Sequence, residues 1–192
     1  LMEPAGITGE IIEVAKKAVG NIRGGLAMVT ILACMIFAAL SGSGPATTAA
    51  IGSIMIPGMI AAGYRKDDAA AVSATGGTLG ILIPPSIMLV SMGSYAEVSV
   101  GKIFFAAITP GLMLSLCYII YLMVVCRIHP DWGPAMSAEE LAEMPLKKRI
   151  SGSLINLIPP LILIFAVLGS IFGGIATPTE AAGMGALFAL IL

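Results

Sequence analysis

The sequence predicts an all-α integral membrane protein built on a re-entrant helical hairpin followed by a discontinuous transmembrane helix. Three observations lead there. The 192 residues are 58% hydrophobic and only 11% charged, with a mean hydropathy of +1.02, whereas a soluble domain carries about 25% charged residues. Small and polar residues from Ser41 to Ser53 separate two apolar runs, 25–40 and 54–62, each of about 10–16 residues against the ~20 that a helix needs to cross a ~30 Å hydrocarbon core. Pro84-Pro85 then interrupts the next apolar segment. Broken backbone at membrane depth is tolerated only where it is buried in protein or lines a wet cavity. Both breaks are therefore candidate sites, with two full spans and a tip at the surface as the plainer alternative.

The elements follow in order. In residues 1–24, Glu10, Glu13, Lys16, Lys17 and Arg23 lie among Ile7, Ile11, Ile12, Val19 and Ile22 at helical spacing. This predicts an amphipathic helix at the interface, broken by Gly24-Gly25. Residues 25–63 form the hairpin. Its second arm runs 45–62, with Pro45 at the first helical position and Ser43 or Gly44 as N-cap. Residues 64–68 are a charged turn. Residues 69–95 are long enough to span, but Pro84 and Pro85 remove two backbone donors and push Ile83 out of helical dihedrals. The helix should unwind around 80–84 and restart at Pro85 or Ser86. Residues 103–126 span, with a kink at Pro110-Gly111; 127–150 are a polar loop; 153–172 span again. Residues 177–192 start a further span, opened by Thr177, Pro178 and Glu180 in capping-box spacing. The chain opens without Met and stops within an apolar run, so more chain is expected on both sides.

Charge sets the orientation. Nine of the ten Lys and Arg fall before the hairpin, at 65–66 or in 127–150, and only Lys102 lies elsewhere. The positive-inside rule makes that face cytoplasmic, which places the hairpin base and the 127–150 loop there. Two complete spans would give the same parity. Tyr95 and Trp132 suit interfacial positions. Cys34, Cys117 and Cys126 lie in or beside apolar runs and read as small hydrophobes.

No acidic or basic residue falls in 25–63, 69–95, 103–126 or 153–172. Proton-coupled carriers usually place carboxylates or histidines within the membrane, so that mechanism is disfavoured. A metal centre is unsupported, and the lone His129 lies in a loop, away from any serine nucleophile. Neutral oxygen remains. Ser41, Ser43, Thr47, Thr48, Thr75 and Thr78 offer hydroxyls, and unwound backbone at 40–44 and 76–83 offers carbonyls. The carbonyl end of the first arm carries partial negative charge, which suits a desolvated Na⁺. The N-terminal ends at Pro45-Ala46-Thr47 and at Pro85-Ser86 carry partial positive charge, which suits a carboxylate or other anion. Paired broken helices near the bilayer midplane are the usual pointer to a transporter site. The competing reading is that clusters of Ser, Thr, Gly and Ala only let helices approach closely. Gly52, Ser53 and Gly58 are assigned to such packing.

Four ordered stretches carry a resemblance: 36–43 with 49–57, 77–86, 98–104 and 174–182. Over essentially the whole chain the sequence resembles the large membrane subunit of TRAP transporters, the DctM-like family. The resemblance implies one half of an inverted-repeat, elevator-type carrier in a bacterial or archaeal cytoplasmic membrane. It implies a small membrane subunit and an extracytoplasmic substrate-binding protein as partners. It implies Na⁺-driven import of organic anions such as dicarboxylates or sialic acid, with no catalysis and no nucleic-acid partner. Carried over residue by residue, Ser41, Gly42, Ser43, Thr78, Gly80 and Pro84 fall where the first repeat holds one Na⁺. The helix starts described above make Pro45, Ala46, Thr47 and Ser86 the substrate-facing expectation. Pro45 departs from the small non-proline residues usual at that tip. A membrane scaffold or assembly subunit without transport of its own is the second hypothesis.

Overall fold

A computed structural model describes residues 22–134 and 162–191. The expectations for 1–21, for the loop from 135 and for 153–161 lie outside the described residues. The described residues form helices and turns only. The helices are α1 (Gly25–Ser41), α2 (Gly44–Ala61), α3 (Lys66–Gly77), α4 (Leu79–Leu82), α5 (Ile87–Tyr95), α6 (Val100–Ile128), α7 (Ile162–Phe172) and α8 (Pro178–Ile191), with a 3-10 turn at Pro130–Trp132. Among the described residues, two helices, Gly44–Ala61 and Val100–Ile128, are long and apolar enough to cross a membrane. The bent pair Lys66–Leu82 and Ile87–Tyr95, turned by 42°, makes a third if it is one span. With the composition, this is an integral membrane helical protein.

Glycine sets both ends of α1. Gly24 and Gly42 are left-handed, at φ 75° and 61°, which costs a Cβ-bearing residue more than glycine. At the C-terminal end the Gly42 amide donates to the Ala38 carbonyl at 2.8 Å, closing the helix in the usual glycine-terminated way. Ser43 is then extended and caps α2, with Pro45 in the first turn. The second arm is longer than its apolar run: 18 residues, or about 27 Å at ~1.5 Å per residue. Ala46, Ala49 and Ala50 favour helix, and the Thr47 and Thr48 hydroxyls donate to the Ser43 and Gly44 carbonyls at 2.8 and 3.1 Å. Residues that read as a polar tip are thereby absorbed into regular structure. The arm expected over 45–62 is observed over 44–61, and at that length it does not by itself separate a re-entrant hairpin from a full span.

Other bounds also shift. The third helix starts at Lys66 rather than 69, because Asp67 and Asp68 occupy its first turn, where acidic side chains complement the helix dipole. Gly77 ends α3 and Thr78 joins it to the single turn α4. Ile83 is extended, Pro84–Pro85 is a cis bond, and the chain restarts at Ile87 with Ser86 as N-cap. The expected break is present and the restart comes one residue later. Pro110 lies inside α6, which continues through it as one helix; the expected kink is not a break. Gly58 is no packing contact among the described residues, since a Cβ there would meet nothing within 4 Å, and Ser53 is exposed.

The core sits inside the hairpin and the helix after it. Leu26, Val29, Ala33 and Cys34 of α1 pack on Ile51, Met55 and Met59 of α2 and on Ala69 of α3. Ile31, Ala38 and Leu79 form a second cluster, covered by Leu114, Tyr118 and Ile119 of α6. Cys34 and Cys126 are buried but Cys117 is exposed, so only two of the three cysteines serve as core hydrophobes.

Candidate functional site

The loop between α1 and α2 meets the break after α3 at close range. Gly80 is the pivot. A Cβ there would lie 2.7 Å from the Ser43 carbonyl oxygen and 2.8 Å from Thr47 Oγ1, so no side chain fits without displacing backbone. Two neighbouring contacts repeat the pattern: a Cβ on Gly44 would lie 3.1 Å from the Gly77 carbonyl, and one on Gly77 would collide with Thr48 Oγ1. On the other side of the tip, a Cβ on Gly42 would meet the Pro85 carbonyl at 2.5 Å, and the Ile87 amide donates to the Gly42 carbonyl at 3.1 Å. Small residues thus bring two irregular stretches into backbone contact.

The oxygens at the contact are neutral. Ser41 Oγ and Thr47 Oγ1 share a hydrogen bond at 2.8 Å. Ser41 Oγ donates to the Ser43 carbonyl at 3.3 Å, and that carbonyl also accepts from Thr47 Oγ1 at 2.8 Å and from the Thr47 amide at 3.0 Å. Thr47 is fully buried, and Ser86 is 1% exposed with its hydroxyl on the Ile81 carbonyl at 2.6 Å. A cluster of serine, threonine and carbonyl oxygens without a carboxylate, imidazole or thiol is chemically a match for a hard monovalent cation. It offers no nucleophile, general base or metal cage. Beside it lies a cavity of about 240 Å³. Ser41, Gly42, Pro85 and Ser86 form one wall, and Phe104, Val167 and Ile171 form the apolar opposite wall.

The structure brings Ser41, Gly42, Ser43, Thr47, Gly80 and Ser86 together. Pro84 is buried beside them. Pro45 and Ala46 are exposed in the first turn of α2, away from the oxygen cluster. Thr78 is also exposed. Its hydroxyl is shared between the Thr75 carbonyl at 2.7 Å and Tyr118 Oη at 3.2 Å, so it faces α6 and not the tip. Sequence reasoning missed Tyr118, the cavity wall from Phe104, Val167 and Ile171, and the Gly77–Thr48 contact. Only the last had a local signal, in the doubled glycine at 76–77.

Comparison with known proteins gives a consistent result. The family described as "Tripartite ATP-independent periplasmic transporter, DctM component" matches residues 1–192. The C4-dicarboxylate TRAP transporter large permease protein DctM of Pseudomonas aeruginosa is 44% identical over 189 residues, covering 97% of this chain and 42% of the relative. Its namesake in Vibrio cholerae is 42% identical, over 100% of this chain and 40% of the relative. The isethionate TRAP transporter permease protein DctMQ of Oleidesulfovibrio alaskensis is 40% identical, over 100% and 29%. The chain spans about two fifths of the length of the first two of these relatives.

Proposed function

The chain belongs to the DctM component family of tripartite ATP-independent periplasmic transporters, and from that premise we propose that it forms part of the membrane permease of a Na⁺-coupled, binding-protein-dependent importer of organic anions. The observation that carries the proposal is the neutral oxygen cluster of Ser41, Ser43 and Thr47 held against Gly80. It lies between two helix breaks in segments without ionisable side chains. Na⁺ takes such ligands, whereas a proton needs a titratable group. In this reading Ser41 and Thr47 supply hydroxyls, the Ser43 carbonyl supplies a third oxygen, and Gly42, Gly80 and Pro84 shape the backbone around the ion. Thr78 acts through its position at the α3–α4 turn and not through its hydroxyl.

The substrate occupies the adjoining cavity, between Ser41–Gly42, Pro85–Ser86 and the apolar wall. Relatives whose names refer to C4-dicarboxylates and isethionate support an organic anion, with a sialic-acid-type substrate as a further member of that class. The hairpin is re-entrant, its base faces the cytoplasm, and tip and break travel together in an elevator-type movement as half of an inverted repeat. Their interlocked backbone supports that joint movement, because neither can shift without unpacking the other. A small membrane subunit and an extracytoplasmic binding protein complete the assembly in a bacterial or archaeal cytoplasmic membrane.

The test is Na⁺-dependent uptake by the full-length transporter in proteoliposomes. Ser41→Ala and Thr47→Val each raise the Na⁺ concentration for half-maximal uptake by roughly tenfold, the scale of one lost polar contact to a charged group. Wild-type Na⁺ dependence in both variants would defeat the assignment. A Ser43→Cys variant reacts with a water-soluble thiol reagent if the tip is a transport site; complete protection would favour a scaffold without a transport pathway.

A further inference from the structure

The other end of the hairpin holds a second cavity, of about 180 Å³, that the transport reading does not use. The bases of three elements meet there. The Gly24 amide donates to the Gly133 carbonyl at 2.8 Å, and Cys126 packs between these two glycines. Tyr64, Asp68, Tyr121 and Trp132 line the cavity. Tyr64 is 4% exposed; the Ala27 and Leu26 amides approach its oxygen, but its hydroxyl donates to nothing among the described residues, and Asp68 Oδ2 accepts no hydrogen bond there. Buried polar atoms are nearly always paired with protein or with something bound. Asp68 keeps 26% of its side-chain surface, and its ion pair with Arg65 is 3.7 Å long, beyond hydrogen-bond range. Burial pushes the Tyr64 phenol up to about 12, so it stays a donor at neutral pH.

A carboxylate beside aromatic rings is a receptor for an organic ammonium group. A free anion is excluded by the same carboxylate. Arg65 is exposed, with its Nε 3.7 Å from Asp68 Oδ2, and offers a positive charge to a phosphate beside the cavity. Tyr121 and Trp132 are partly exposed aromatics, as at a membrane–water interface, and the adjoining face of α6 exposes Ile120 and Val124. Negative charge inside, positive charge at the rim and an apolar wall leading away from it match one molecule in all three parts.

We propose that this cavity binds the phosphoethanolamine headgroup of a membrane lipid. The ammonium donates to Asp68 between the rings of Tyr121 and Trp132. The phosphate accepts from Arg65, and the acyl chains run along α6. The Tyr64 hydroxyl finds its acceptor on the bound headgroup. A lipid held there ties the hairpin base to α6 at the end opposite the oxygen cluster.

The experiment is native mass spectrometry of the intact, delipidated transporter offered equal amounts of phosphatidylethanolamine, phosphatidylglycerol and phosphatidylcholine. The expected result is preferential retention of phosphatidylethanolamine, since phosphatidylglycerol lacks the ammonium and phosphatidylcholine lacks its N–H donors. Asp68→Asn lowers that preference roughly tenfold, the scale of one charge-assisted hydrogen bond. Tyr121→Leu, on the exposed rim, lowers it too and leaves the Asp68 carboxylate in place. Equal retention of the three lipids, or an unchanged preference in both variants, overturns the proposal. Displacement of the lipid by millimolar soluble phosphoethanolamine overturns the lipid as source and assigns the site to a free amine.

Discussion

Gly80→Ala tests the oxygen cluster at its tightest point. The added Cβ would stand 2.7 Å from the Ser43 carbonyl oxygen and 2.8 Å from both the Ser43 carbonyl carbon and Thr47 Oγ1. Even a close C–H···O contact sits at about 3.3–3.6 Å. The tip must therefore retreat by roughly 0.6 Å or more to reach that range. The neighbours are backbone and a fully buried threonine, so the strain falls in the range for overpacking, about 1–3 kcal/mol. Helix propensity works the other way, by about 1 kcal/mol in favour of Ala, so the loss of global stability is small. The proposed ion site has no such compensation, because the displaced atoms are the ligands assigned to it. If the strain is relieved by moving Ser43 and Thr47, Na⁺ affinity falls by about 1–3 kcal/mol, which is about 5- to 150-fold. The assay is the Na⁺ dependence of uptake by the full-length transporter, with thermal stability measured on the same preparation. Gly58→Ala is the control: its Cβ meets nothing, so it gains helix propensity and leaves Na⁺ dependence untouched. A Gly80→Ala protein with wild-type half-saturation by Na⁺ would refute the reasoning, even if its maximal uptake were lower.

The hydroxyl pair of Thr78 and Tyr118 gives a second test. Thr78→Val and Tyr118→Phe each cost about 1 kcal/mol of stability, and the double variant costs less than their sum because both remove one bond; a Na⁺ shift in Thr78→Val alone would mean that the hydroxyl serves the ion after all. At the start of α8, the Thr177 amide and hydroxyl both donate to Glu180 Oε2 at 2.8 Å, and the Glu180 amide donates to Thr177 Oγ1 at 3.3 Å. Thr177→Ala removes the cap and costs about 1 kcal/mol, read as a lower midpoint in thermal unfolding with transport per folded molecule unchanged.

Much of this was legible because it depends on local chemistry. Glycine before serine at 42–43 stops one helix and caps the next, Pro84-Pro85 cannot continue a helix, and Thr177 with Glu180 is a cap wherever the chain goes. What holds Thr47 and Thr48 within the second arm was not legible. Thr47 and Thr48 look polar in a hydropathy profile, but their hydroxyls are satisfied by carbonyls four residues back, so the helix keeps them. The orientation of Thr78 was also hidden. Its hydroxyl bonds a tyrosine 40 residues away, and nothing near residue 78 announces which side of a one-turn helix faces α6. Gly80 was readable as part of a break, but its role as the only residue type able to lie on the Ser43 carbonyl is a tertiary fact.

The two ends of the hairpin obey opposite electrostatic rules, and that contrast explains where each kind of residue is placed. At the tip every polar atom is neutral, because an ionised side chain within an apolar segment carries a penalty of several kcal/mol. Whatever charge the tip holds must arrive with a ligand and leave with it, which is the condition for a site that loads and unloads. At the base, Asp68 lies 3.7 Å from Arg65 and keeps a quarter of its surface, where water and headgroups lower the penalty for a charge. A permanent charge there favours a resident partner over a passing one. On the two proposals together, the same hairpin separates an end built to release what it binds from an end built to stay anchored. Exchanging the rules, with a carboxylate at Ser41 or an apolar residue at Asp68, would impair release at the first and anchoring at the second.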